Sequence, residues 1–104
     1  VLLSFLLKLI YLINLIMDKT LYKPFKYKGT GVFKYSVYVK SPSGKPKLIH
    51  FGHSSYQDFT QHKDEKRRAS YLKRAKGIKN KQGNLTWKDK NTKNYWSVHY
   101  LWNG

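Results

Sequence analysis

The stretch VFKYSVYVKSPSGKPKLIHFG, residues 32–52, decides the fold. From Val32 to Lys40 the side chains alternate, with Phe33, Tyr35, Val37 and Val39 on one face and Lys34, Ser36, Tyr38 and Lys40 on the other. This period of two is that of a half-buried strand. SPSGKP, residues 41–46, is dense in turn formers, and KLIHFG is a second short apolar run, so the two strands are expected to pair as an antiparallel hairpin. Lys45 and Lys47 project from its tip or edge, where they can touch phosphate or block edge-to-edge aggregation.

Beyond Gly52 a linker, HSSYQDFTQH, leads to Asp64 and then to EKRRASYLKRAK, a run of good helix formers ending at Gly77. Asp64 suits the N-cap, Glu65 the positive first turn and Gly77 the end. Helical spacing puts Arg68, Tyr71, Leu72 and Ala75 on one face and turns Lys66, Arg67, Lys73, Arg74 and Lys76 towards solvent. Residues 78–91 form a polar, basic connection around Gly83, with Leu85 and Trp87 as anchors. The last segment, TKNYWSVHYLWNG, fits a helix through Tyr95, Trp96, His99 and Trp102, or a strand through Trp96, Val98, Tyr100 and Trp102; a short helix is the preferred reading. Before the hairpin, DKTLYKPFKYKGT interleaves Lys with Tyr and Phe as an extended arm. The expectation is a small α+β domain over residues 32–104, an antiparallel hairpin followed by a basic helix and a C-terminal aromatic helix, preceded by a basic aromatic arm at 17–31.

Residues 1–16, VLLSFLLKLIYLINLI, differ in kind. The run is short for a spanning helix, which needs roughly 20 apolar residues, and carries Lys8 in its middle. A signal peptide would place its charge ahead of the apolar core. The preferred reading takes Met17 as the true start and residues 1–16 as upstream frame; a membrane segment and a buried apolar helix are the alternatives. A membrane partner is expected only if residues 1–16 are translated.

Length and charge narrow the function. A chain of 104 residues has room for one domain and one modest core. It carries 21 Lys plus Arg against 5 Asp plus Glu, a formal charge of +16, which repels itself without a polyanionic partner. Three Trp, nine Tyr and five Phe set it apart from a disordered basic tail. The absence of cysteine excludes a disulfide framework and thiolate zinc fingers.

Three constellations are candidates for chemistry. The helix cations Lys66, Arg67, Lys73, Arg74 and Lys76 lead, because a merely soluble helix mixes charge signs and Glu65 is the only acid after the cap. Next comes the arm, where Tyr22, Phe25 and Tyr27 alternate with Lys23, Lys26 and Lys28; its rings either stack on bases or, the preferred reading, pack over the sheet edge. The third, His50, His53 and His62 with Asp58 and Asp64, lacks a metal-ligand spacing of known meaning. There Asp58 is expected to bond the turn after it and His62 to close the linker. No catalytic residue, metal or cofactor is assigned.

HFG at 50–52, YQDFTQHKDEKRRASYLKR at 56–74 and YWSVHYLW at 95–102 resemble a family of short basic proteins of unknown function encoded by large DNA viruses of eukaryotes. The residues carrying the likeness are His50, Phe51, Gly52, Tyr56, Asp58, His62, Asp64, Arg68, Tyr71, Trp96 and Trp102. The resemblance implies a viral origin and a place in the virion or in a viral factory in the host cytoplasm or nucleus. Together with the charge it leads to the expectation of a nucleic-acid-associated protein, DNA in preference to RNA, holding phosphates with little sequence specificity, in genome packaging or condensation. The alternatives are a small virion or core component facing an acidic viral protein and, third, a metal-dependent nuclease.

Overall fold

The expected hairpin forms two strands of a three-stranded antiparallel sheet. The computed structural model describes residues 3–9 and 19–104, and in it Phe33–Lys40 (β2) pairs with Pro46–His53 (β3), Val37 opposite Ile49 and Tyr35 opposite Phe51. Alternation delivers Val37, Val39, Ile49 and Phe51 to one face, where Leu101 completes a buried cluster flanked by Tyr22, Tyr35, Trp96 and Trp102. Burying an aliphatic or aromatic side chain of this kind is worth about 1.5–3 kcal/mol, so these few residues carry much of the fold.

Two faces of the alternation depart from expectation. The Phe33 ring leaves the row of Tyr35, Val37 and Val39 and lies 5.2 Å from His50 and 5.5 Å from Tyr27. Lys34 and Ser36 are also not on a solvated face: Ser36 is buried, and the Lys34 ammonium is enclosed by hydrogen-bond acceptors. The linker residues Tyr56, Asp58 and Gln61 enclose Lys34, whereas the arm covers Phe33 and Ser36. Phe25–Lys26 (β1) pairs antiparallel with β2, Phe25 opposite Ser36, and Leu21 forms a parallel bridge to Tyr38. The strand order is β1-β2-β3. The arm is therefore part of the sheet, and its rings pack on it: Tyr22 against Trp96, Phe25 against Tyr38 and Tyr27 against His50.

The linker also holds structure. Asp58 caps a short helix, Phe59–His62 (α1), in a capping box with Gln61, and Lys63 then adopts a left-handed conformation (φ 57°) that ends it. The main helix, Glu65–Ala75 (α2), starts as expected, with Asp64 accepting from the backbone N–H groups of Lys66 and Arg67. Its end is different, because Gly77 supplies no left-handed cap. The Gly77 N–H returns to the Arg74 carbonyl, and the Asn94 side chain donates to the last helical carbonyl, that of Ala75, at 2.8 Å.

A single 3-10 turn, Thr86–Lys88, brings Trp87 in, and Lys93–Trp96 (α3) runs on into a π-helical turn, Ser97–Leu101. The last segment is thus helical, and its wide π turn buries Val98 and Leu101, the latter completing the sheet cluster. The start at Met17 and the reading of the leader lie outside the described residues, except that residues 3–9 are helical with exposed side chains. Among the described residues no helix is long and apolar enough to cross a membrane.

Gly52 meets two constraints at once. Its φ is +75°, and a Cβ there would lie 2.9 Å from Leu101 Cδ1 and 3.2 Å from the Lys34 Cβ. A left-handed conformation alone costs a residue with a side chain about 1–2 kcal/mol. Gly52→Ala is therefore expected to lower stability by about 2 kcal/mol or more, measured as a shift of the urea midpoint at unchanged m-value.

Candidate nucleic-acid interface

Lys34 is the residue on which the site is built. Its Nζ donates to the Tyr56 carbonyl, to Asp58 Oδ2 at 2.7 Å and to Gln61 Oε1 at 2.8 Å. The acceptors come from the turn before α2, so the strand, the turn and α1 are tied at one point. Asp58 is buried and also accepts from the Thr60 N–H and hydroxyl. Burial alone would raise the Asp58 carboxyl, but hydrogen bonds from Lys34 and Thr60 and the Lys34 charge outweigh it and hold it below the usual 3.8.

Between this turn, the end of β3, α2 and the C-terminal helix lies a groove of about 700 Å³. Lys66, Arg67 and Arg74 of α2 line it together with Ser70, and Tyr71, Leu101 and Trp102 give it an apolar wall. Tyr71 and Trp102 stack at 4.1 Å with planes 9° apart. Burial raises the Tyr71 hydroxyl above its usual 10, with a hydrogen bond from Ser97 and the charge of Arg74 offsetting only part, so it stays a protonated donor at neutral pH. Among the described residues no carboxylate stands within ion-pair distance of Lys66, Arg67 or Arg74, whereas Lys34 is paired with Asp58 and Arg68 with Glu65. Unpaired cations beside a low-dielectric wall focus their field into the groove.

The predicted cations divide. Lys66, Arg67 and Arg74 converge on the groove, while Lys73 and Lys76 do not line it. Lys76 Nζ lies 4.8 Å from the centroid of Trp87, which Lys88 approaches at 5.5 Å. Lys45 is exposed in the β2–β3 turn and Lys47 is exposed opposite Val39, both outside the groove. Lys26 lies on the edge strand β1, and Lys28 lines a second cavity on the other side of the sheet. Sequence reasoning missed Lys34, which alternation assigned to solvent, and Ser70 and Ser97; the Asp58-to-Gln61 spacing of a capping box was the available signal for the acceptors around Lys34.

The motif residues are largely architectural. Phe51 is core, His50 Nδ1 meets Ser36 Oγ at 2.7 Å, and the Tyr56 carbonyl accepts from Lys34. His62 Nδ1 accepts from the Asp64 N–H at 2.9 Å, and its ring lies 5.2 Å from Trp102. Arg68 clamps the chain end through the carbonyls of Trp102 and Asn103, at 2.9 and 2.6 Å. Trp96 packs on Tyr22 and Phe51 and donates to the Lys90 carbonyl. His50, His53, His62, Asp58 and Asp64 do not converge, and among the described residues no group of three His, Asp or Glu could hold a metal ion.

Residues 33–75 match the model of a family of unknown function (DUF5754). The matched span runs from β2 to the end of α2, and so holds Lys34, its acceptors and the three groove cations in one segment. Neither a curated protein nor a solved structure matches the chain.

The Lys34–Asp58 pair predicts a pH dependence. Because the folded-state carboxyl is depressed, its contribution is fully present above the ordinary aspartate value and is lost as pH falls through the folded value. Asp58→Asn is expected to cost about 1–3 kcal/mol near neutral pH. The difference between wild type and variant should shrink on acidification below pH 3.8, as followed by urea unfolding at successive pH values.

Proposed function

We propose that the protein is a nucleic-acid-associated protein that holds phosphates in the α2 groove, with little dependence on base sequence. The observation that carries this is the convergence of Lys66, Arg67 and Arg74, none with a carboxylate partner among the described residues, on one groove with an aromatic wall. Each cation that meets a phosphate releases condensed counterions, so affinity follows salt steeply. Ser70 and the Tyr71 hydroxyl add neutral donors for phosphate oxygens, and Asp58, the acid of the groove, is already engaged by Lys34. No base-reading pattern accompanies these groups, which favours phosphate contact over sequence readout.

The reading extends to a viral setting, with DNA as the genome bound and packaging or condensation as the task. Its support is the resemblance of HFG, YQDFTQHKDEKRRASYL and YWSVHYLW to short basic proteins of large DNA viruses, and it carries with it a place in the virion or viral factory.

A salt series tests the groove. Arg67→Ala with Arg74→Ala should lower the slope of log affinity against log salt on duplex DNA by about 2 units, the worth of two phosphate contacts, while Lys73→Ala leaves it nearly unchanged. An unchanged slope in the double variant would remove the groove as the phosphate surface. Equal loss in Lys73→Ala would spread binding over the whole helix. Binding to an acidic protein as strong as binding to DNA would favour a structural role against an acidic partner.

A further inference from the structure

The helices and the buried cluster occupy one face of the sheet; on the other face lies a second cavity, of about 560 Å³. Phe25 from β1, Tyr38 from β2, Leu48 and His50 from β3 and Tyr27 from the arm line it. Strand pairing sets Tyr38 opposite Leu48 and Ser36 opposite both Phe25 and His50, so the rings are held in register by the backbone. Phe25 and Tyr38 lie 6.0 Å apart with planes 32° from parallel, and Tyr27 meets His50 edge-on at 4.8 Å. The Ser36 hydroxyl and the His50 imidazole, joined at 2.7 Å, add a polar pair to the lining. Leu48 is 41 % exposed, and Phe25, Tyr27, Tyr38 and His50 are only partly covered.

The surrounding charge says what fits there. No acidic residue lies between Lys19 and Gln57, a stretch with eight lysines. Lys28 lines the cavity itself, its Nζ 5.7 Å from the Phe25 centroid. An occupant must offer flat apolar faces to the rings and negative charge to the lysines. Unstacked nucleobases on a phosphate backbone offer both, and paired duplex bases, already stacked on their neighbours, do not.

We infer that the open face of the sheet takes the bases of a single-stranded nucleic acid, an assignment that rests on the nucleic-acid reading of the α2 groove and adds strand selectivity to it. The rings supply sequence-tolerant stacking, and the groove cations serve either strand form. Tyr38 is the central contact, since it stands on the middle strand between Phe25 and Leu48.

The full chain is titrated by fluorescence anisotropy with a labelled homothymidine strand and with a duplex of equal length. Tyr38→Ala should weaken single-strand binding about 5- to 100-fold, the worth of one stacked base, with duplex affinity unchanged, and Tyr38→Phe should retain the wild-type single-strand affinity. Because Tyr38→Ala can also loosen β1, the wild-type protein gives a second readout: the Leu48 methyl resonances should shift on adding the single strand and stay in place on adding the duplex. Equal loss for both strand forms, no loss, or unmoved Leu48 methyls would overturn the inference. If the duplex salt slope still falls in the Arg67→Ala, Arg74→Ala variant, the groove reading survives that failure. If the wild type binds neither form in a salt-dependent way, both fall together.

Discussion

Lys34 leaves the middle strand and meets three acceptors from one turn, the Tyr56 carbonyl, the Asp58 carboxylate and the Gln61 amide. Two of these acceptors also build α1, because Asp58 accepts from Thr60 and Gln61 accepts from the Asp58 N–H. The orientation of α1 is thus set by a cation on the sheet. From there His62 binds the Asp64 N–H, Asp64 caps α2, and Arg68 of α2 seizes the carbonyls of Trp102 and Asn103. Each step depends on the one before it. A buried ion pair taken alone is a poor source of net stability, since desolvation offsets attraction, but removing one member leaves the other stranded. Here its value is positional.

A chain with so few carboxylates must manage its positive charge by other means. Lys76 and Lys88 approach Trp87, Lys90 lies 4.3 Å from the Tyr22 centroid, and Lys63 and Arg68 both face Phe59. Ring faces carry negative quadrupole density, and each such contact is worth about 0.5–1 kcal/mol at an exposed site. The aromatic content therefore does two jobs, filling the core and standing in for missing acids. Lys66 and Arg67 take part in no such ring contact among the described residues, which separates them from most of the structural cations near α2.

The hairpin, the cap at Asp64, the apolar stripe of α2 and the helical C-terminal segment were legible, because each is governed by neighbours within a few residues. The charge of α2 was legible too, but not which of its cations converge. That depends on Tyr71 and Trp102 stacking from elements 31 residues apart, and on Trp87 drawing Lys76 away. Period-two alternation placed Lys34 in solvent because it counts faces and not what later covers them; the turn that encloses it lies more than twenty residues downstream. The rings of the arm pack over the sheet edge as expected, but its pairing as β1 was not legible. Two strand residues, Phe25 and Lys26, are too few for any periodic signal, and Pro24 before them favours an extended chain whether or not it is paired.

The Tyr22 hydroxyl donates to Asn91 Oδ1 at 2.8 Å, and the same oxygen accepts from the Lys40 N–H. This joins residues 69 positions apart, while the β2–β3 hairpin and α2 close over short distances. Loop-closure entropy makes such distant contacts form after local ones. β1 meets β2 over only two residue pairs, Phe25 with Ser36 and Lys26 with Tyr35, against seven between β2 and β3, so it is the strand least held by the ladder. Hydrogen exchange at its amides is expected to report a partial opening below global unfolding, in which Phe25 and Tyr27 leave the aromatic face while the hairpin that carries Tyr38, Leu48 and His50 stays paired.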